Sequence, residues 1–176
     1  MMGRLLVITG PSGVGKTSLA DRLCRDGFSR CITCTTREPR QGEKEGVDYF
    51  FLSPELFLTS KDNGEFVETN AHYGQQYGVR QNDMALQTQK GDVVVLLNWQ
   101  GALKVKEVFP KALVVFVSPP SMDELSERLG KRGDPVRMQY AQEDMDQQNR
   151  FEHVIINDDL DVCYQSLLAL ISTKMD

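Results

Sequence analysis

A chain of 176 residues, 40% of them hydrophobic, is long enough to bury one sizeable core and short for two ordinary domains. Its formal charge of -5, with Lys and Arg mixed among Asp and Glu, excludes the basic stripe of a nucleic-acid binder. Met1-Met2-Gly3-Arg4 leads into an apolar strand with no signal-peptide pattern, and no apolar run approaches the roughly eighteen residues of a membrane span. The expectation is a soluble, cytoplasmic protein with neither nucleic acid nor membrane as partner.

The first predicted strand covers about Arg4 to Thr9. Gly10-Pro11-Ser12-Gly13-Val14-Gly15-Lys16-Thr17 follows it and precedes the helical run Ser18-Leu19-Ala20-Asp21-Arg22-Leu23. In that strand-to-helix setting the pattern G-x-x-x-x-G-K-[ST] marks a phosphate site: glycines let successive N–H groups point at one anion, and the helix adds its positive end. Lys16 is expected to reach the outer phosphates of a nucleoside triphosphate, and the Thr17 hydroxyl to hold a magnesium ion. Gly10, Ser12, Gly13, Val14, Gly15 and Ser18 complete the expected nucleotide-binding set.

Gly27 ends the first helix, and Phe28 to Thr36 reads as extended. Cys31-Ile32-Thr33-Cys34 has C-x-x-C spacing, yet His72 and His153 stand without a partner at metal spacing, so reduced thiols in a strand are expected. Arg37 to Gly46 lacks apolar periodicity and reads as a loop; Arg37 and Arg40 around Pro39 suit an anion clamp or a solvated charged loop. Ser53-Pro54 caps a short helix that Asn63-Gly64 stops. Glu65 to Thr69, with Tyr73, Gly74, Tyr77 and Gly78, reads as a small hairpin region, and a helix returns over Gln81 to Gln89. Strands are expected at Asp92 to Leu97, Ala112 to Val117 and Val154 to Ile156. Helices are expected at Gly101 to Val108, from the Ser121 capping box onward, over Arg137 to Arg150, and after the cap at Asn157-Asp158-Asp159. The alternation predicts an α/β domain with a mainly parallel sheet.

Taken together, the phosphate loop, Thr35-Thr36-Arg37-Glu38-Pro39-Arg40, Gly42-Glu43, Gly46-Val47-Asp48-Tyr49, Gly64-Glu65-Phe66-Val67-Glu68, Tyr77-Gly78, Gln100-Gly101, Pro119-Pro120-Ser121, Arg132-Gly133 and Val154 to Leu160 resemble guanylate kinase over nearly the whole chain. The resemblance implies a single three-layer P-loop domain over 1–176. Within it would be a core (1–32 and 82–176), an acceptor-binding insertion at about 33–81, and a lid at about 130–140. It implies that Arg37, Arg40, Tyr49 and Tyr77 hold the acceptor phosphate, that Glu68 takes the guanine N1 and N2 protons, and that Thr33 contacts the base. Arg132 and Arg137 would be lid arginines acting with Lys16 on the transferred phosphoryl group, and Asn157 would lie where the fold places adenine.

Three departures accompany the match. Where guanylate kinases end a strand with Asp-x-Asp, this chain reads Leu96-Leu97-Asn98; where they carry Ser or Thr after Tyr-Gly, it carries Val79; and only Asp134-Pro135-Val136 separates Arg132-Gly133 from Arg137. Val79 and Asn98 remain in the expected GMP-binding set. The reading is ATP-dependent phosphorylation of GMP or dGMP. The alternatives are a ribose 1,5-bisphosphate kinase, which such departures resemble, and a non-catalytic guanylate-kinase-like protein-binding module.

Overall fold

The computed structural model describes residues 3–72, 74–130 and 135–175. In chain order the elements are β1 (Leu5–Thr9), α1 (Lys16–Arg25), β2 (Ser29–Arg30), β3 (Cys34–Thr35), β4 (Phe50–Phe51), α2 (Pro54–Asp62), β5 (Phe66–His72), β6 (Gln75–Arg80) and α3 (Gln81–Lys90). They continue as β7 (Val93–Leu96), α4 (Trp99–Val108), β8 (Leu113–Ser118), α5 (Met122–Gly130), α6 (Pro135–Asp146), a 3-10 turn at Gln148–Arg150, β9 (His153–Ile156) and α7 (Leu160–Lys174).

The aliphatic runs become the centre of a parallel sheet ordered β2-β7-β1-β8-β9. Because strand side chains alternate, each run supplies two cores. Leu6, Ile8, Val94, Val115 and Val117 pack with Leu19 and Leu23 of α1 and with Leu167 and Ile171 of α7. Leu5, Val7, Val93, Val95, Val114 and Phe116 pack on the other side with Met84 of α3 and Ala102 and Val105 of α4. Helices therefore cover both faces, as a buried parallel sheet requires.

A second sheet, ordered β4-β3-β6-β5, combines one parallel pair with antiparallel pairing. The stretch expected to be extended from Phe28 to Thr36 is split between the two: Ser29 and Arg30 pair with β7, while Cys34 and Thr35 pair with β4 and β6. Burial pushes the Cys31 thiol up to about 12 and the Cys34 thiol up to about 11, so both stay protonated and inert. All four cysteines are free.

The caps follow the sequence. Ser53 Oγ accepts from Leu56 N at 3.1 Å, Ser121 Oγ from Glu124 N at 3.1 Å, and Asp159 Oδ1 from Asp161 N and Val162 N. One helix begins earlier than expected. Asn98 Oδ1 accepts from Gly101 N at 2.9 Å, so α4 starts at Trp99 rather than Gly101. The polar helix expected over Arg137 to Arg150 begins at Pro135 and ends at Asp146, with the 3-10 turn finishing the stretch. Arg132 and Tyr73 lie outside the described residues, and of Arg137 only its place in the first turn of α6 is described. No described helix is long and apolar enough to cross a membrane.

Candidate active site

The phosphate loop leaves β1 at its carboxyl end, beside β7 and β8, which is where open parallel sheets place ligands. Gly15 is the N-cap of α1 with φ 102°, and no side chain caps the helix, so its leading N–H groups are left for an anion. A Cβ at Gly15 would stand 2.4 Å from Asn157 Nδ2, so the loop needs glycine there for space as well as for φ. Asn157 is buried, and its amide donates to Val14 O at 2.7 Å, so the strand at the far end of the chain fastens the loop from beneath. Arg128 Nη1 in turn donates to Asn157 O at 3.0 Å.

Lys16 Nζ donates to Gly10 O at 2.6 Å and Pro11 O at 2.8 Å, curled over its own loop. Burial lowers the Lys16 pKa to about 8, against which the Asp144 carboxylate on α6 pulls upward. Burial likewise raises Asp144 to about 6, with Lys16 opposing the rise. Lys16, Thr17, Gly10 and Ser12 thus share one wall of a cleft of about 740 Å³ with Glu143 and Asp144.

The opposite wall comes from the second sheet. Glu68 and Asn70 of β5 lie opposite Val79 and Tyr77 of β6, and all four line the cleft, as do Thr33, Arg40 and Tyr49. Asn70 Nδ2 donates to Glu68 Oε1 at 3.1 Å, while Glu68 Oε2 is buried with no hydrogen-bond partner among the described residues. A buried orphan carboxylate oxygen is costly unless a ligand supplies a donor. Burial raises the Glu68 pKa and the Asn70 bond lowers it.

The Tyr49 and Tyr77 rings meet edge to face with centroids 6.2 Å apart, and the Arg37 guanidinium sits 5.3 Å from the Tyr49 centroid. Arg37 does not stand among the residues lining the cleft. Glu43 takes both its terminal nitrogens, at 3.0 and 2.9 Å, and also accepts from Arg40 N at 2.8 Å. That carboxylate raises the Arg37 pKa, and Arg37 lowers that of Glu43.

The guanylate kinase family profile matches residues 2–174. A guanylate kinase of Caldanaerobacter subterraneus subsp. tengcongensis is 38% identical over 178 residues, covering 96% of this chain and 86% of that one. One from Coxiella burnetii is 37% identical over 179 residues, covering 97% and 87%. The chain belongs to the guanylate kinase family. The crystal structure of guanylate kinase from Anaplasma phagocytophilum superposes with a TM-score of 0.82 at 30% identity, covering 99% of this chain and 88% of that one, and so shares the whole fold.

In this guanylate kinase family member the cleft brings together Gly10, Ser12, Lys16, Thr17, Thr33, Arg40, Tyr49, Glu68, Tyr77, Val79 and Asn98. Of the other expected positions, Gly13 and Gly15 shape the loop with positive φ, Val14 is fully buried, Ser18 is exposed on α1, and Asn157 is occupied beneath the loop. The departures have structural consequences. Asn98 spends its side-chain oxygen on the helix cap, Val79 is buried directly opposite Glu68, and Leu96 lines the cleft. Reasoning from motifs passed over Glu143 and Asp144, which sit on a polar helix without a distinctive pattern, and gave no role to Glu43, although it stands in the quoted Gly42-Glu43 pair. It also passed over Asn70, whose signal was its spacing of two from Glu68 on a strand, which puts both on one face.

Proposed function

We propose that the protein transfers the γ-phosphoryl group of ATP to GMP or dGMP in the cytoplasm. The observation that carries this reading is the buried, unpartnered Glu68 Oε2 facing the same cleft as the Lys16 loop. Guanine offers adjacent N1–H and N2–H₂ donors to a carboxylate, whereas adenine turns an acceptor toward it. Arg40, Tyr49 and Tyr77 supply one cation and two hydroxyls for the acceptor phosphate, with Arg37, beside Tyr49 and Tyr77, as the proposed second cation. Lys16 exchanges its two carbonyl partners for phosphate oxygens, placing its charge where negative charge grows during transfer.

The donor set suits magnesium, since the Thr17 hydroxyl and the carboxylates of Glu143 and Asp144 are hard oxygen groups on the loop side of the cleft. Among the described residues no group of three or more His, Cys, Asp or Glu side chains could hold a metal by itself, which fits an ion held largely by phosphates and water. When bound, it would neutralise charge on the phosphates being transferred. Arg132 and Arg137 are proposed to complete the site from a lid at about 130–140, and residues 33–81 to act as the acceptor-binding unit. Positioning and electrostatics suffice for this chemistry, so no general base is assigned.

A coupled assay with ATP and either GMP, dGMP, AMP, UMP or ribose 1,5-bisphosphate tests the reading. GMP kcat/KM should exceed that of AMP by at least about thirtyfold, because an unpaired buried charge costs on the order of 2–5 kcal/mol. Glu68→Gln should erase most of that margin. Absence of preference for GMP, or a preference untouched by Glu68→Gln, overturns the assignment. Ribose 1,5-bisphosphate turnover in its place would assign Val79, Leu96 and Asn98 to a sugar phosphate pocket.

A further inference from the structure

The acceptor wall contains one polar contact that no motif accounts for. Glu68 and Asn70 stand two residues apart on β5, and the Asn70 amide donates to Glu68 Oε1 at 3.1 Å. A neighbouring carboxylate fixes which way that amide faces, since the reversed amide would oppose its oxygen to the acid. Among the described residues no other hydrogen bond holds the carboxyl. Val79, directly across on β6, is fully buried and has no donor, and on the other side Gly101 of α4 presents only backbone. Oε2 is left buried and without a partner.

We infer that Asn70 is a positioning residue: by holding Glu68 Oε1 it fixes the carboxylate plane so that Oε2 faces the base of the bound acceptor. This rests on the reading of Glu68 as the purine acceptor. The bond acts on the ionised form, and it opposes part of the burial that favours the neutral acid, so it also supports the state that can accept two donors. The other groups around Glu68 are uncharged: Val79 and Tyr77 from β6, Gly101 and the Asn98 cap from α4. Among the described residues, the charged side chains that line the cleft with it are Lys16, Arg30, Arg40, Asp48, Glu143 and Asp144, while the influences on the Glu68 carboxyl are its burial and the Asn70 bond.

The test compares Asn70→Ala, the isosteric Asn70→Asp and the amide-retaining Asn70→Gln. In Asn70→Ala the KM for GMP should rise about tenfold with kcat changed less than about twofold, since a hydrogen bond to a charged group is lost from the acceptor site. The acid limb of kcat/KM for GMP should move to higher pH in Asn70→Ala and further in Asn70→Asp, where a second carboxylate faces the first, and return toward wild type in Asn70→Gln. The independent readout is a carbon-13 NMR titration of the Glu68 carboxyl in the ligand-free protein, assigned with Glu68→Gln, in which Asn70→Ala titrates at higher pH than wild type. A shifted titration in a protein that does not turn over GMP keeps the positioning role and removes the substrate reading. GMP turnover with titration and acid limb both unmoved in Asn70→Ala and Asn70→Asp overturns the inference.

Discussion

Gly101 offers a substitution in which stability and recognition should separate. It occupies the first turn of α4, where alanine is favoured over glycine by up to ~1 kcal/mol. A Cβ there would stand 2.4 Å from Glu68 Oε2, 3.1 Å from Glu68 Cδ and 3.1 Å from Asn98 Oδ1. Ordinary contact begins near 3.4 Å, so the carboxylate oxygen must retreat by about 1 Å, while the cap oxygen needs a few tenths. The obstacle is the end of a flexible side chain, so the fold should accommodate it. The melting temperature of Gly101→Ala should stay within about 4 °C of wild type, the span that ~1 kcal/mol covers in a chain of this size. Recognition should not survive as well, because a misplacement of about 1 Å in a binding constellation costs on the order of a hundredfold. Steady-state kinetics at saturating ATP should show kcat/KM for GMP reduced by about that factor, with KM for ATP unchanged. A Gly101→Ala enzyme within a few-fold of wild type toward GMP would refute the claim that Glu68 at its present position reads the base.

Lys16→Ala should lower kcat by at least about a hundredfold, because the lost charge acts where phosphate charge accumulates; near-normal turnover would refute that role for Lys16. Asn157→Ala leaves the Val14 carbonyl without its donor and should cost about 1–3 kcal/mol in urea denaturation while raising the KM for ATP. Burial raises Asp144 from 3.8 to about 6, so the native state binds the extra proton between those values and stability falls as pH rises through that window. Asp144→Asn should therefore be the more stable protein at pH 7.5, by on the order of 1–2 kcal/mol, and gain little near pH 4, as thermal melts at the two pH values would show. Lys16 has the opposite sign. Its pKa falls from 10.5 to about 8, so stability should rise between those values, and the alkaline limb of activity in Asp144→Asn should move to lower pH once the supporting carboxylate is gone.

Much of this was legible because local chemistry and global fold agree. The aliphatic runs at Leu5 to Ile8 and Leu113 to Val117 had no alternative to a doubly covered strand, and Ser53, Ser121 and Asp159 cap the helices their positions announce. The stretch from Phe28 to Thr36 was harder, because extended residues carry no mark of which sheet they join, and this one joins two. Asn98 could be seen as a departure, but its service as a cap depends on where the helix begins, which propensity fixes only to within a residue or two. Arg37 shows a sharper limit. Its spacing from Arg40 suggested a joint clamp, and the structure adds a bidentate grip by Glu43 and contacts with Tyr49 and Tyr77, loop geometry that has no periodic signature. The electrostatic influence between Lys16 and Asp144 joins positions 128 apart, and only the fold, which brings α6 to the same cleft as the loop, reveals it.

The bond between Asn157 and Val14 also bears on how the protein is born. The phosphate loop leaves the ribosome before the residue that braces it, which comes 143 positions later. A nascent chain lacking β9 has the complete glycine motif but neither the amide under Val14 nor the side chain packed against Gly15. Nucleotide capture should therefore appear only once Asn157 has emerged, and ATP in the cell would stabilise chains that carry it without trapping shorter ones. Ribosome-bound chains stalled with Asn157 still inside the exit tunnel and then fully outside it would report this, with ATP protection against protease expected only in the second.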